Sequence, residues 1–580
     1  MTERSAMRQA NRLLDQAQRS EVVLRNPIYL EAATLFASAG RLTQSTRTLV
    51  LIDNTQLDDG QFILFTLLSA ELASNVPDWG KTAALLTDER FLKLRQGLGG
   101  SDLERILRLE ANLSNTRGEH AASIAAYTRL SQQLDEPEHI RATHDLIWQQ
   151  LGKQPYSWLQ QMERNSNDQT LSGWYQLAAL IRESQGDYLG QLQLYNDWRQ
   201  LWQNHPAAVN PPSFFLATEA DHTTPNQIAL LLPLQDEYEV PGNTLLNGFM
   251  SAYYKVLARG GQVPAINIYD TSALPLQQVY NQAVSAGAEI VIGPMRQSEV
   301  EELLAYPSLP VPTITLNRID RDRQRTPENF FQFGLSPIDE IAQITERAWQ
   351  KGYRNIIAIS PSNSWGKQAA EFVNQRWTQM GGQVLATVEY AASTNDFTPL
   401  LQSPLHIGHS QQRSLQLERL LGKDLSFTPR RRQDIDLVVL LAYPNKARQI
   451  KPALDFLYAS SIPVYASSHI YSGSEDISLN RDLSGIEFSA MPWMLPGSMP
   501  EPLSPDESLH TAYRQLYALG FDAFILHSGL GNLRSGAKLP VYGSTGLLSL
   551  SGDTVRRHQK WAKFKRGQVV EAPFVVTPDQ

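Results

Sequence analysis

The sequence contains no cysteine in 580 residues. That excludes disulfides, thiolate metal sites and a cysteine nucleophile, and it fits an oxidising compartment, where a stray thiol is a hazard. Long apolar runs are also missing. The longest, IALLLPL (228–234) and IDLVVLLA (435–442), have the length of buried strands and fall far short of the roughly 18 residues of a membrane-spanning helix. The first residues, MTERSAMRQANRLL, carry no apolar signal core, so either a cytosolic protein or a mature form with its export signal removed is expected. With 51 Lys and Arg against 59 Asp and Glu, the net charge of −8 makes no general case for nucleic acid or an anionic membrane surface. The HExxH, GxSxG and EF-hand patterns are absent. His139 and His144 are five positions apart, not the four that align two imidazoles on one helix face. The expectation is a protein without catalytic residues, metal or cofactor.

What is present falls into two halves with different periodicity. A chain of this length exceeds one core, and roughly three to five compact units are expected. Up to about residue 210 no segment reads as a strand, and small and aromatic residues recur at helical spacing. LEANLSNTRGEHAASIAAYTRL (109–130) reads as helix, turn at Gly118, helix. YQLAALIRESQGDYLGQLQLYNDWRQLWQNHP (175–206) repeats the grammar around Gly186, and YLEAATLFASAGRLTQSTRTL is a looser copy turning at Gly40. Gly118 and Gly186 are 68 positions apart, twice the roughly 34-residue period of tetratricopeptide repeats; the 78 positions from Gly40 to Gly118 do not fit. An all-α solenoid of tetratricopeptide-like repeats over residues 1–210 is expected.

Residues 211–227, rich in Pro, Asn and Thr, read as a linker. From 228 to 580 short apolar strands (IALLLPL, PAINIYD, AEIVIGP, PTITLN, NIIAISP, GQVLATVEY, IDLVVLLA, IPVYASS) alternate with helices. Near-continuous apolar strands with crossover helices indicate parallel sheets covered on both faces. The run is long enough for two lobes: residues 228–335 plus later segments, and 336–470 plus a C-terminal segment.

One loop within this half imitates a nucleotide site. NIIAISPSNSWGKQAAEFV (355–373) runs from strand through Gly366-Lys367 into a helix. A phosphate-binding loop needs glycine where this chain has Pro361, and a hydroxyl where it has Gln368. Both failures remove a group the chemistry requires, so a strand-to-helix loop lining an interlobe crevice is expected instead.

IALLLPLQDEYEVPGNTLLNGFMSAYY, AEIVIGPM, PTITLNR, SPSNSWGKQAAEFV, NDFTPLL, DLVVLLAYPNKARQIKPALDFLYASSIPVYASSHIY and GFDAF together resemble a type I periplasmic binding-protein fold. GLLSLSGDTVRRHQKWAKFKRGQVV (546–570) resembles the C-terminal closing portion of that fold. Joined to N-terminal helical repeats, RRRQDIDLVVLLAYPNKARQIKPALDF and IPVYASSHIYSG resemble the LpoA family of outer-membrane lipoproteins that activate a bifunctional class A penicillin-binding protein. The resemblance implies a non-enzymatic activator of peptidoglycan synthesis on the periplasmic face of the outer membrane. Its lipid anchor would be carried by a cysteine preceding the sequence given, which would then be a soluble form.

In amino-acid-binding relatives of that fold, first-lobe loops hold a carboxylate and a second-lobe aromatic covers the solute. By loop position the resemblance assigns Gln297, Ser298, Asn317, Ser364, Trp365, Tyr443 and His469 as cleft candidates. The first loop departs from the pattern, because Gln235-Asp236-Glu237-Tyr238-Glu239 places three acids where an anionic group would have to come. A vestigial cleft is the leading expectation, and a sensor of solutes or peptidoglycan fragments the alternative. Residues 403–433, with His406, His409 and Arg430-Arg431-Arg432, read as an insertion on the second lobe. It is either a solvated loop or a docking surface whose arginines pair with carboxylates.

Overall fold

The computed structural model describes residues 3–572 apart from 77, 185–186, 217–224, 320–325, 424–427, 500–509 and 535–540. The described chain forms two compact units, residues 3–151 with 206–212, and residues 152–205 with 213–572.

The first unit is built of helical hairpins, among them Val22–Ser38 with Leu42–Leu49, Asp59–Asn75 with Trp79–Leu86, and Gly100–Thr116 with His120–Ser131. One buried contact recurs in all three. Ser45 Oγ donates to Ala33 O at 2.8 Å, Thr82 Oγ1 to Ala70 O at 3.5 Å, and Ser123 Oγ to Ala111 O at 2.8 Å. All six residues are fully buried. Alanine lets the second helix approach the first helix's backbone, and the hydroxyl finds an acceptor there, so neither polar group is left unsatisfied. The first and third hairpins turn on glycines in the left-handed region, Gly40 at φ 69° and Gly118 at φ 74°. Arg41 N then donates back to Phe36 O and Glu119 N to Ser114 O, closing each first helix.

Successive alanines of this contact are 37 and 41 positions apart. The interval from Gly40 to Gly118 therefore spans two repeats of unequal length, which a fixed period does not catch; Gly186 lies outside the described residues. Leu30, Leu49, Leu68 and Leu72 join the first hairpin to the second, and Phe62, Leu86, Phe91, Ile106 and Leu109 join the second to the third. Each hairpin thus buries its apolar face on its neighbour, as stacked repeats do.

In the second unit, helices Tyr156–Asn165, Gln169–Glu183 and Tyr188–Leu201 continue the helical pattern but pack with the α/β part. Tyr156 N and Ser157 N donate to Ser498 O and Gly497 O, and the buried Arg182 guanidinium lies 4.8 Å from the Tyr542 ring centre. The division between units falls at Gly152, inside the helical stretch. Within the expected linker, Ser213–Phe215 is a 3-10 turn; Phe215 stacks on Tyr195 at 4.1 Å, and Phe214 packs edge-on against Tyr188. Two adjacent aromatics are enough apolar surface to hold that stretch against the helices.

The α/β part has two sheets. Strands β1 (Gln227–Leu232), β2 (Ala265–Asp270), β3 (Ile290–Ile292), β4 (Ser308–Thr315) and β5 (Glu328–Gln332) are followed by β6 (Asn355–Pro361), β7 (Gln383–Tyr390), β8 (Leu437–Leu440), β9 (Val464–Ala466) and β10 (Glu487–Ala490). The C-terminal portion supplies β11 (Val541–Tyr542), β12 (Leu547–Ser551), β13 (Thr554–His558), β14 (Lys560–Lys565) and β15 (Gln568–Glu571). The first lobe has the order β11-β12-β13-β5-β4-β3-β1-β2 and the second β15-β14-β10-β9-β8-β6-β7.

All eight expected strands form. β5, β10 and β11 were not expected, because ENFFQ, EFSA and VY are too short and too mixed to carry a period of their own. The insertion also begins deeper than expected. Leu401, Leu405 and Ile407 belong to the second-lobe core, and helix Ile407–Leu421 leaves that core after its first turn.

Replacing Ala111 with Leu should force the third hairpin apart and destabilise the helical unit by about 1–3 kcal/mol. Denaturant unfolding followed by far-UV circular dichroism measures this; an unshifted helical transition would contradict the close-approach account.

Candidate functional site

Between the lobes lies a cleft of about 1090 Å³ lined by Gln297, Asn317, Arg318, Leu335, Trp365, Phe372, Arg376, Asp553 and Arg556, among others. The loop after β6 forms one wall. Asn363 caps helix Ser364–Gln379, its side chain accepting from Gly366 N at 2.8 Å. A Cβ on Gly366 would sit 2.0 Å from Pro361 O, so this glycine lets the helix start close to the strand and has nothing to do with phosphate. Lys367 points to solvent.

Three of the seven cleft candidates, Gln297, Asn317 and Trp365, line the cavity. Asn317 is already engaged: its amide donates to Met295 O at 3.0 Å, and its carbonyl accepts from Arg318 N at 2.8 Å. Trp365 packs with His469 at 4.4 Å and Tyr443 at 5.7 Å between ring centres, and Tyr443 with His469 at 5.8 Å. The three ring-bearing candidates of the second lobe therefore come together as one cluster in which the chain's own imidazole lies against the indole. Ser298 and Ser364 are exposed and lie outside the lining. The acids Asp236, Glu237 and Glu239 are exposed and also stand outside it.

The loop Thr315–Arg318 is expected at the cleft by the same resemblance, but Asp339, Glu340, Asp522 and Arg557 were not foreseen. Arg318 and Asp339 form a buried ion pair. Beside it, the Glu340 carboxylate accepts from Ser468 N at 3.1 Å, Ser468 Oγ at 2.8 Å and Gln559 Nε2 at 3.0 Å. Arg557 is buried, with Asp339, Glu340 and Asp522 the acids acting on it. Asp522 holds the Ser544 and Thr545 amides at 2.6 and 2.7 Å; burial nevertheless pushes its carboxyl up to about 6. Sequence carried one signal for this group. Ser336-Pro337 followed by Asp339 and Glu340 is a helix start, with Ser336 as cap, and acids in a first turn are ordinary there. Their burial depends on strands more than a hundred residues away.

The partner candidates differ among themselves. Arg432 holds Asp434 through two bonds of 2.7 Å, and Arg431 donates to Arg432 O and to Ser461 Oγ. Arg430 is exposed, with its backbone N–H on Ser410 Oγ.

Enclosure lowers the His469 pKa below its ordinary 6.5. The unfolded chain then takes up this proton first, so the contribution of His469 to stability is present above 6.5 and is lost as pH falls through the lowered folded value. A melting temperature that falls on acidification below 6.5 is expected, with His469→Gln flattening that part of the profile and altering Trp365 emission. Identical profiles in the two proteins would show that the imidazole is not enclosed.

Comparison with known proteins gives the family. The chain is 26% identical over 486 residues to a Photobacterium profundum protein named penicillin-binding protein activator LpoA, covering 82% of this chain and 78% of that protein. It is 28% identical over 437 residues to a Vibrio cholerae protein of the same name, covering 73% and 71%. Among solved structures, Haemophilus influenzae LpoA aligns over 97% of both chains at 20% identity with a TM-score of 0.48. The family profile described as "LppC putative lipoprotein" matches residues 3–567, and the chain belongs to that family.

Proposed function

We propose that this protein is a non-enzymatic regulator of peptidoglycan synthesis and cell-wall biogenesis. It would be held by a lipid anchor at the periplasmic face of the outer membrane, and it would bind and stimulate a bifunctional class A penicillin-binding protein. The observation that carries the reading is the family match across nearly the whole chain, with relatives named as activators over more than two thirds of their length. The cleft supports it from the other side. Trp365, the candidate cover for a solute, is packed on His469 and Tyr443. Action is then through contact, with the helical repeats linking anchor to docking part. Stimulation requires tighter binding to the active than to the inactive state of the synthase, since equal affinity shifts nothing.

A second reading, a sensor of solutes or peptidoglycan fragments in the cleft, rests on one observation: the Trp365 indole N–H is buried without an acceptor among the described residues. Titration of amino acids and muropeptides against the melting temperature separates the two. A ligand at 100 times its dissociation constant adds about 2.7 kcal/mol, and no shift from any of them removes the sensor.

For the main reading, the native chain should capture a class A penicillin-binding protein and raise its peptidoglycan synthesis with no ligand added. Among Arg430, Arg431 and Arg432, which remain our docking candidates, Arg430 has its guanidinium most available. Arg430→Glu should slow association by about tenfold at low salt, with the loss shrinking as salt rises. Equal association rates at low salt would take this arginine out of the interface.

A further inference from the structure

Resting on the docking function above, we propose that the projecting helix Ile407–Leu421 is the centre of the docking surface, and that its partner surface is apolar at the core and acidic at the rim. Only Ile407 and Ser414 of this helix are buried. Leu417, Leu420 and Leu421 are 45%, 81% and 59% exposed. Their spacing of three and four positions puts them on one face, and Arg413, four positions before Leu417, extends the same stripe. Ser410 lies on that side too, seven positions or about two turns before Leu417, and its hydroxyl receives the Arg430 backbone N–H at 3.0 Å. Arg430 therefore borders the leucines. Arg431 is tied to Ser461, so Arg430 is the arginine of this run with its guanidinium most exposed.

Three leucines bordered by arginines are costly to leave in water and unusual on a free surface. The arrangement, an apolar centre with Arg at the border, is that of a protein interface core. Charge selects the occupant. Residues 406–434 contain six Lys and Arg and three Asp and Glu, with Arg432 held by Asp434, which leaves a surplus of three positive charges in a chain whose net charge is −8. A second copy of this chain, acidic overall but with the same basic patch, would set arginines against arginines across a two-fold contact. An acidic-rimmed surface on the synthase meets the stripe without that repulsion.

The test uses the full chain and a purified class A penicillin-binding protein. Leu417→Glu with Leu420→Glu changes exposed positions only, and Leu201→Glu, at an 84% exposed leucine on another helix, serves as control. Circular dichroism and melting temperature establish that all three proteins fold alike. The double variant is expected to raise the dissociation constant by about tenfold or more and to reduce stimulation of peptidoglycan synthesis in parallel, while the control matches the native chain. Native binding with an unaffected double variant overturns the placement of the surface and leaves the docking function standing. Failure of the native chain to bind overturns that function itself. A native dimer in sedimentation, dissociated by the double variant while synthase binding is unchanged, overturns the choice of partner in favour of a second copy.

Discussion

Gln559 is the whole connection between β13 of one sheet and β14 of the other, and the two-lobed architecture depends on how that single residue is held. Its backbone N–H donates to Gln343 Oε1 at 2.8 Å and its amide to Glu340 Oε1 at 3.0 Å. Gln343 Nε2 also donates to Arg557 O, so one helix, Pro337–Gln350, grips the crossing strand on both sides. The same Glu340 carboxylate fastens Ser468 beyond β9. A carboxylate buried among donors is tightly committed, because removing any partner leaves a charge without compensation. The lobes are thereby related by a polar clasp and not by apolar packing alone.

That clasp bears on what the cleft can do. A binding protein that closes on a solute needs crossings that bend, together with an aromatic free to cover the guest. Here Trp365 lies against His469, and His469 sits next to the Ser468 that Glu340 holds. Cover and clasp are joined through two adjacent residues. On the second lobe, the crossover between β7 and β8 carries a helix that packs into the core through its first turn and then runs outward with leucines exposed.

Much of this was legible in the residues. Eight strands announced themselves: the central ones because parallel strands buried on both faces leave near-continuous Val, Ile and Leu, the edge strands β2 and β7, largely exposed or half-buried, by their place in the alternation with helices. The helical repeats were legible in kind and not in period. Turn glycines mark where hairpins reverse, but the repeated element is the contact of Ala33 with Ser45, Ala70 with Thr82 and Ala111 with Ser123. A constant twelve-residue spacing from small residue to hydroxyl would have revealed it. β5, β10 and β11 were illegible because a two- to five-residue segment takes its strand conformation from the neighbours it pairs with.

The sequence by itself determined the fold class, the absence of thiol chemistry, the failure of SPSNSWGK as a phosphate loop and the membership of a family, since each rests on residue types and short-range spacing. Only the tertiary structure decided that Gly366 serves close packing, that Trp365 is covered by the chain's own imidazole, that Arg431 and Arg432 are engaged while Arg430 is exposed, and that Asp339, Glu340 and Arg557 meet in a buried cluster. Those outcomes depend on contacts between residues up to about two hundred positions apart. A side chain's solvation and partners are properties of the surface it lands on, and no local pattern encodes them.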